Sequence, residues 1–303
     1  MTWPAKADRA WLEALPGVVR DHPLARHMSF NIGGPADYFV ETADPAPVVA
    51  GCAERGIPHL LLGAGTNLLV ADAGVEGLVV RCVGRGWRVE GDRVHAEAGL
   101  KMMRLARICS DHDLAGFEWA IGVPGSVGGA VYQNAGCWGS ELAEVLESAC
   151  AWTPDRGPAC RPTAELGLGY RTSALRDGPL RDAAVLSATI RLRRGDGAAS
   201  RAQMAAWTAE RTRTQPVRAK NCGSVFRNPP GDSAGRLIEA AGLKGARVGA
   251  AEISPRHANF IVNHGGATAA DVQRLMGTAR SAVSDRFAVA MEPEVELVGR
   301  WGG

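Results

Sequence analysis

Residues 121–139 read IGVPGSVGGAVYQNAGCWG, with glycine at positions 122, 125, 128, 129, 136 and 139. Only small, apolar or uncharged polar residues stand between these glycines, so neither a periodic helix nor an alternating strand describes the first half of the run. Glycine loses more conformational entropy on folding than any other residue. So many in one stretch point to tight turns or to a main chain that touches a ligand directly. Successive N–H groups in such a turn form a concave anion site, and Ser126 adds a hydroxyl. Taken alone, a glycine-rich surface loop would read the same.

A second run changes the balance. Residues 63–67, GAGTN, follow the apolar stretch HLLL at 59–62, which suits a buried strand. Strand, glycine turn and then Thr66 and Asn67 as donors is a layout that cradles phosphate. It is not the Rossmann fingerprint, because Leu68 occupies the place of the third glycine, and no Lys-Ser or Lys-Thr pair follows as in a P-loop. Two such nests in one chain imply a ligand with more than one phosphate, such as a dinucleotide, lying between them.

The whole chain sets the bounds. Its 303 residues suffice for two or three lobes with cores of their own, and 46% hydrophobic with 22% charged residues is ordinary globular composition. A net charge of +2 without a long basic block argues against nucleic acid as partner. The seven cysteines are scattered, contain no C-x-x-C pair, and read as small buried thiols in a reducing compartment, without structural zinc or any other metal. Residues 1–16 mix charges among apolar side chains and hold no signal-peptide core. No stretch reaches the about 18 apolar residues of a membrane span, so the expected location is the cytoplasm.

In chain order, Tyr38, Phe39 and Val40 suggest a strand. Asp44 and Pro45 open a helix that Gly56 closes, and the strand at 60–62 follows. Residues 87–97 alternate about Gly91 and Asp92 as a hairpin, and residues 101–113 are helical by pattern. Ser140 is a candidate cap for a short helix from Glu141, and residues 185–192 alternate as a half-buried strand. Residues 194–200, RGDGAAS, have linker composition and mark a domain boundary. Beyond it lie a helix over 201–212 and a strand between turns at 221–230. A helix over 234–241, a strand at 259–263, a long helix opened by Thr268 and Asp271, and a last strand at 294–298 complete the chain.

Four polar residues stand where chemistry is plausible, each with an ordinary alternative. Ser224 follows Gly223 on stiff backbone in front of Asn228; a turn-capping serine reads the same, and the segment is not a G-x-S-x-G elbow. Arg171, in the run GYRTS, is equally a surface arginine. Glu294 reads also as a solvated strand-edge carboxylate, and His257 as a hydrogen-bonded structural histidine.

At these residues the chain resembles the UDP-N-acetylenolpyruvoylglucosamine reductase family. The resemblance is carried by NIGGPAD (31–37), GAGTNL (63–68), GVPGSVGGAVYQNAG (122–136), Tyr170-Arg171-x-Ser173, GSVFRNP (223–229), RLIEAAGLKG (236–245), SPRHANFIVN (254–263), ATAADV (267–272) and EPEVELVG (292–299), in family order. It implies an α+β chain. An FAD-binding fold of the vanillyl-alcohol oxidase and p-cresol methylhydroxylase type would occupy two α/β subdomains, residues 25–85 and 86–195, after an N-terminal segment 1–24. An α/β lobe binding the UDP-sugar would follow at 201–303. The FAD pyrophosphate would lie, non-covalently, on Gly63, Gly65, Thr66, Asn67 and Leu68 and on Pro124, Gly125, Ser126, Gly128, Gly129 and Asn134. By position, Arg171, Ser224 and Glu294 match the family's catalytic residues. Tyr170, Asn228 and His257 match positions near substrate, with Arg213 or Lys220 toward its phosphates.

The implied chemistry is oxidoreduction at a carbon–carbon double bond. NADPH reduces FAD, and the enolpyruvyl ether of UDP-N-acetylglucosamine enolpyruvate is then reduced to UDP-N-acetylmuramate, a peptidoglycan precursor. Arg171 would hold a carboxylate or steady the flavin, Ser224 would supply a proton, and Glu294 would help polarise it. The tyrosines at 38, 132 and 170 leave none between Arg171 and Ser224, which places the chain in the shorter type that lacks a tyrosine-bearing loop. A monomer is expected. The competing readings are an FAD-dependent sugar or alcohol oxidase of the same fold and a nucleotide-binding regulator without turnover.

Overall fold

The computed structural model describes residues 6–302. The reading of residues 1–16 as lacking a signal core falls in part on residues 1–5, outside the described residues. The chain divides into two compact units. The first holds Tyr38–Ala64 and Gly77–Ala209 together with the described residues up to Arg20, and the second holds Asp21–Asp37, Gly65–Glu76 and the described residues from Glu210 onward. The division falls within the helix Gly197–Thr214, and the two short segments 21–37 and 65–76 belong with the C-terminal part. One reason is visible in the second unit, where both Asp72 carboxylate oxygens accept the first amides of the long helix Ala269–Phe287, from Ala269 at 2.8 Å and Ala270 at 3.1 Å.

In the first unit, the helix Ala46–Arg55 begins where Asp44 Oδ1 accepts from the Ala46 amide at 3.2 Å and ends at Gly56 with φ +63°, as its sequence predicts. The strand His59–Leu62 follows and runs parallel to Val75–Cys82, with Leu60 opposite Val79, in a sheet ordered Val19–Pro23, Pro35–Thr42, Val75–Cys82, His59–Leu62. An antiparallel five-stranded sheet is ordered Gly157–Pro162, Leu146–Thr153, Ala184–Arg191, Arg93–Glu97, Trp87–Glu90. Its last two strands form the predicted hairpin about Gly91, at φ +64°. The helix Met102–Asp111 buries Met102, Leu105, Ile108 and Cys109, the face its periodicity marks, in the same core as Val131 and Ile190.

The second unit is centred on Ala269–Phe287. Thr268 and Asp271 close a reciprocal capping box, and Val272, Leu275, Met276, Ala279 and Val283 face inward. They share a core with Leu237 and Ile238 of the helix Ala234–Ala240 and with Phe226. A three-stranded antiparallel sheet of Arg247–Val248, Ala251–Ile253 and Ile261–Asn263 belongs to this unit, and Glu296–Val298 pairs parallel with Leu68–Val70.

Four expectations are corrected. Residues 194–200 are no linker: Arg193–Arg194 pairs with Leu114–Ala115, and Asp196 Oδ1 takes the Ala198 amide at 2.7 Å, so the helix starts at Gly197. Residues 221–230 form no strand, because their backbone groups bond to a side chain and make a single bridge, Phe226 with Pro293. Ser140 lies in the two-residue strand Ser140–Glu141, ahead of a 3-10 turn at Leu142–Glu144. Cys150 and Cys160 face each other across two strands and are joined by a disulfide, while Cys52, Cys109 and Cys222 are buried free thiols as expected. Among the described residues no helix is long and apolar enough to cross a membrane, and no group of metal-binding side chains is assembled.

Candidate active site

The glycine run at 121–139 resolves into a 3-10 turn, Glu118–Gly122, a bend, and the short helix Val127–Gln133. Ser126 caps that helix, its Oγ accepting from the Gly129 amide at 3.4 Å. The Val127 and Gly128 amides bond to the carbonyls of Leu100 and Ala98, each at 2.8 Å. Among the described residues the amides of Gly125 and Ser126 make no hydrogen bond, so the anion donors narrow to these two and the hydroxyl beside them. The first glycine run meets this bend within the same unit: a Cβ on Gly63 would fall 2.4 Å from Ser126 Oγ. Only glycine lets the two runs come this close.

The remainder of the first run belongs to the second unit. Gly65, at φ +64°, has room for no Cβ, which would lie 2.1 Å from the His27 carbonyl oxygen. Among the described residues, the Gly65 and Thr66 amides are unbonded. Asn67 Nδ2 donates to Glu294 O at 3.0 Å, and Asn67 O accepts from Glu296 N at 3.0 Å, while Leu68 pairs with Glu296. Each run by itself offers main-chain amides beside a small hydroxyl side chain, a donor set suited to phosphate.

Asn134 is different from what its motif suggests. It is fully buried in left-handed conformation at φ +46°, its Nδ2 donating to Gly169 O at 3.0 Å and its Oδ1 accepting from Ala143 N at 2.9 Å. It ties the turn at 169–173 to the helix and is not an open donor for a ligand. Ser173 Oγ, donating to Tyr132 O, ties the other side of that turn. Between these ties stands Arg171, at φ +56°, an uncommon conformation for a residue with a side chain. Its Nη2 donates to Gly136 O at 3.0 Å and its guanidinium lies 5.2 Å from the centroid of the half-exposed Tyr170 ring.

In the second unit, Ser224 follows Gly223 at φ +83°, and its hydroxyl makes no hydrogen bond among the described residues. The segment is fixed from both sides. Asn259, almost fully buried, accepts the Phe226 amide at 3.0 Å and donates to Phe226 O at 2.8 Å, and its own carbonyl takes the Val225 amide at 2.9 Å. Opposite, the Glu294 amide donates to Val225 O at 2.8 Å, so Ser224 and Glu294 lie on adjoining backbone segments. Burial, and next the charge of Glu294, push the Cys222 thiol far up.

The remaining candidates are distributed around it. Asn228 Oδ1 accepts from the Ala234 amide at 3.1 Å and so helps to cap Ala234–Ala240. His257 Nδ1 accepts from the Asn259 amide at 3.3 Å, and burial, then the Lys244 charge, hold its pKa below the ordinary histidine value. Arg213 is exposed and its fork is engaged by Glu210 at 2.9 and 2.6 Å, while the exposed Lys220 bridges Asn263 through its backbone. A cleft of about 530 Å³ in this unit is lined by residues that include Thr212, Arg218, Ser254, Arg256 and His264. Arg256 Nη1 spans the Thr212 and Gln215 carbonyls, whereas Arg218 makes no ion pair among the described residues. Neither Arg218 nor Asn259 was singled out from the sequence: the first sits in no motif, and the second matters through contacts 33 residues away.

Comparison with known proteins agrees with this geometry. The domain family described as UDP-N-acetylenolpyruvoylglucosamine reductase, C-terminal domain, matches residues 215–298, and the FAD binding domain family matches residues 39–157. The chain is 45% identical over 300 residues to the UDP-N-acetylenolpyruvoylglucosamine reductase of Chloroflexus aggregans, covering 94% of this chain and 99% of that one. It is 43% identical over 303 residues to UDP-N-acetylenolpyruvoylglucosamine reductase 2 of Symbiobacterium thermophilum, with 96% of each covered. Among solved structures, the crystal structure of UDP-N-acetylenolpyruvylglucosamine reductase from Thermus caldophilus superposes with a TM-score of 0.79 at 35% identity, over 93% of this chain and 98% of that one.

Proposed function

Because the chain belongs to the UDP-N-acetylenolpyruvoylglucosamine reductase family, we propose that it reduces the enolpyruvyl ether of UDP-N-acetylglucosamine enolpyruvate to UDP-N-acetylmuramate, with NADPH as reductant. The chain has an α+β FAD-binding fold of the vanillyl-alcohol oxidase type, with a C-terminal α/β lobe for the UDP-sugar. The observation that carries the reading is the close meeting of Gly63 with Ser126, beside the unspent amides of Gly125 and Ser126. These groups, with Gly65, Thr66 and Asn67, would hold the FAD diphosphate, while Asn134 keeps the adjoining turn in place.

FAD held on these residues and reduced by NADPH would supply the hydride that the enolpyruvyl double bond takes up at its β-carbon. Every other task falls to side chains. Negative charge grows at the α-carbon and spreads into its carboxylate, and the planar guanidinium of Arg171, steadied by its bond to Gly136 O, meets that charge. The α-carbon then needs a proton, for which the unengaged hydroxyl of Ser224 is the donor. Glu294, on the adjoining segment, polarises that hydroxyl and helps return its proton. Tyr170, Asn228 and His257 would stand near the substrate by their positions in the family motifs. Arg218, rather than the Glu210-bound Arg213, is the better partner for its phosphates. The enzyme works as a monomer in the cytoplasm, where NADPH and nucleotide sugars are made.

An anaerobic spectrum tests the reading. The purified protein should carry flavin, its absorbance should bleach with NADPH, and colour should return when the enolpyruvyl sugar is added without oxygen. Flavin that NADPH leaves oxidised but a free sugar or alcohol bleaches, with oxygen restoring the colour, would favour a sugar or alcohol oxidase instead, and a protein that neither reductant bleaches would favour a nucleotide-binding regulator. Release of the flavin on denaturation is expected; retention in the precipitate would mean a covalent link.

A further inference from the structure

The hairpin at residues 136–141 carries a turn that its sequence does not favour. Gly136 pairs with Glu141 and Cys137 with Ser140, which leaves Trp138 and Gly139 as the two turn residues, at φ +60° and +81°. Two positive φ values in a two-residue loop are the type I′ pattern, whose first place normally goes to Asn, Asp or Gly. A tryptophan there holds strained backbone, and such strain persists only where the surroundings over-determine it.

The surroundings here are a second indole. Trp138 stacks on Trp207 with ring centroids 5.6 Å apart and planes within 6°. Trp207 stands on the helix Gly197–Thr214, in the part that belongs to the same unit. The hairpin also lies tight against residue 122, where a Cβ would fall 2.6 Å from Cys137 Sγ and 3.0 Å from Trp138 Nε1. Trp138 keeps 36% of its surface exposed, so its place is not that of an ordinary core residue.

What this hairpin presents is the Gly136 carbonyl, the acceptor for Arg171 Nη2. Arg171 is itself in left-handed backbone. One hydrogen bond therefore joins two strained segments, and the aromatic stack fixes one of them. We infer that Trp138 and Trp207 are positioning residues for Arg171: their stack holds the hairpin so that Gly136 O aims the guanidinium. The inference rests on the proposed role of Arg171 toward the enolpyruvyl carboxylate.

The test follows both half-reactions in the flavin-loaded enzyme and, separately, hydrogen exchange at residues 169–173, where the Gly169 and Thr172 amides each donate to the other's carbonyl. Trp207→Ala should slow reduction of the enol ether by roughly tenfold, leave flavin reduction by NADPH nearly unchanged, and speed exchange at 169–173. Trp207→Phe, which keeps a ring to stack on, should restore both. In an Arg171→Lys background the Trp207→Ala penalty should disappear, since the two act through one contact. An equal penalty in both backgrounds, or unaltered exchange in Trp207→Ala, overturns the inference. Trp138→Asn, whose residue type tolerates this backbone, guards against simple misfolding: it should reproduce the Trp207→Ala pattern, and wild-type behaviour would overturn the idea as well. Should the wild type fail to turn over the enolpyruvyl sugar while exchange still responds to Trp207→Ala, the reaction assignment falls and the positioning stands.

Discussion

Around Arg171 the polar partners are main-chain carbonyls: Gly136 O takes the guanidinium, Gly169 O takes Asn134, and Tyr132 O takes Ser173. Around Ser224 the organising group is one buried side chain, the Asn259 amide, which grips both polar atoms of the Phe226 backbone. The first region is shaped by glycines and left-handed residues that let backbone approach backbone. The second is shaped by a cross-link between segments far apart in sequence. A site built the first way is expected to fail by steric intrusion, and one built the second way by loss of a hydrogen-bond partner.

The comparison is broken most severely at the proposed proton donor. Ser224→Ala deletes a hydroxyl that no other part of the described chain uses, so folding and flavin content should be kept. Enol-ether reduction should fall by roughly 10²- to 10⁴-fold, the usual worth of a positioned proton donor. Stopped-flow measurement of each half-reaction separates the outcomes, and an equal fall in flavin reduction by NADPH would remove Ser224 from the role of acid.

Steric intrusion is tested next, at the meeting of the glycine runs. Gly63 has no positive φ, so alanine there is opposed by space alone, with Ser126 Oγ 2.4 Å from the new Cβ. Gly63→Ala should be purified with much less flavin. Adding Ser126→Ala removes that oxygen and leaves Ser126 Cβ at 3.6 Å, an ordinary contact, so the double variant should regain part of the lost flavin absorbance. No recovery would show that the hydroxyl itself is needed by the cofactor.

Loss of a partner is the corresponding test in the second region. Asn259→Leu keeps the volume but strands the amide and the carbonyl of Phe226, which is almost fully buried. Each abandoned buried group costs about 1–3 kcal/mol, so urea unfolding should show a loss of roughly 2–5 kcal/mol. A loss under about 1 kcal/mol would mean that water or backbone replaces the clamp.

The same contrast explains which features the sequence made legible. The Thr268–Asp271 capping box and the apolar stripe of Met102–Asp111 are local patterns, and each produced the element expected of it. Residues 221–230 misled because Val225 and Phe226 look like strand residues, while the Phe226 backbone is taken by the Asn259 side chain and only an isolated bridge forms beside it. Residues 194–200 misled because Gly197, Ala198 and Ala199 look like a linker, and only the Asp196 cap shows that a helix begins. Arg171 and Ser224 are proposed as site residues through a family motif. The strain at Trp138 was not legible in the sequence, since a turn type is a property of φ and leaves no mark when the residue filling it is atypical.

The smallest expected effect concerns the edge of the Asn259 clamp. His257 Nδ1 accepts the Asn259 amide, its ring meets Phe260 edge-on at 4.8 Å, and its Cε1 lies 3.0 Å from where a Gly235 Cβ would stand. Burial, followed by the positive charge of Lys244, lowers its pKa below the ordinary histidine value. The folded chain therefore resists a proton that the unfolded chain accepts. This contribution to stability is fully present above the unfolded pKa and is lost as pH falls below it. Between about pH 7 and pH 5 the unfolding midpoint of the wild type should drop more steeply than that of His257→Gln, which has nothing to protonate there. Parallel curves would mean that the ring turns to water when charged and that the Asn259 amide finds another acceptor. The second region would then owe its rigidity to the asparagine side chain without help from its neighbour.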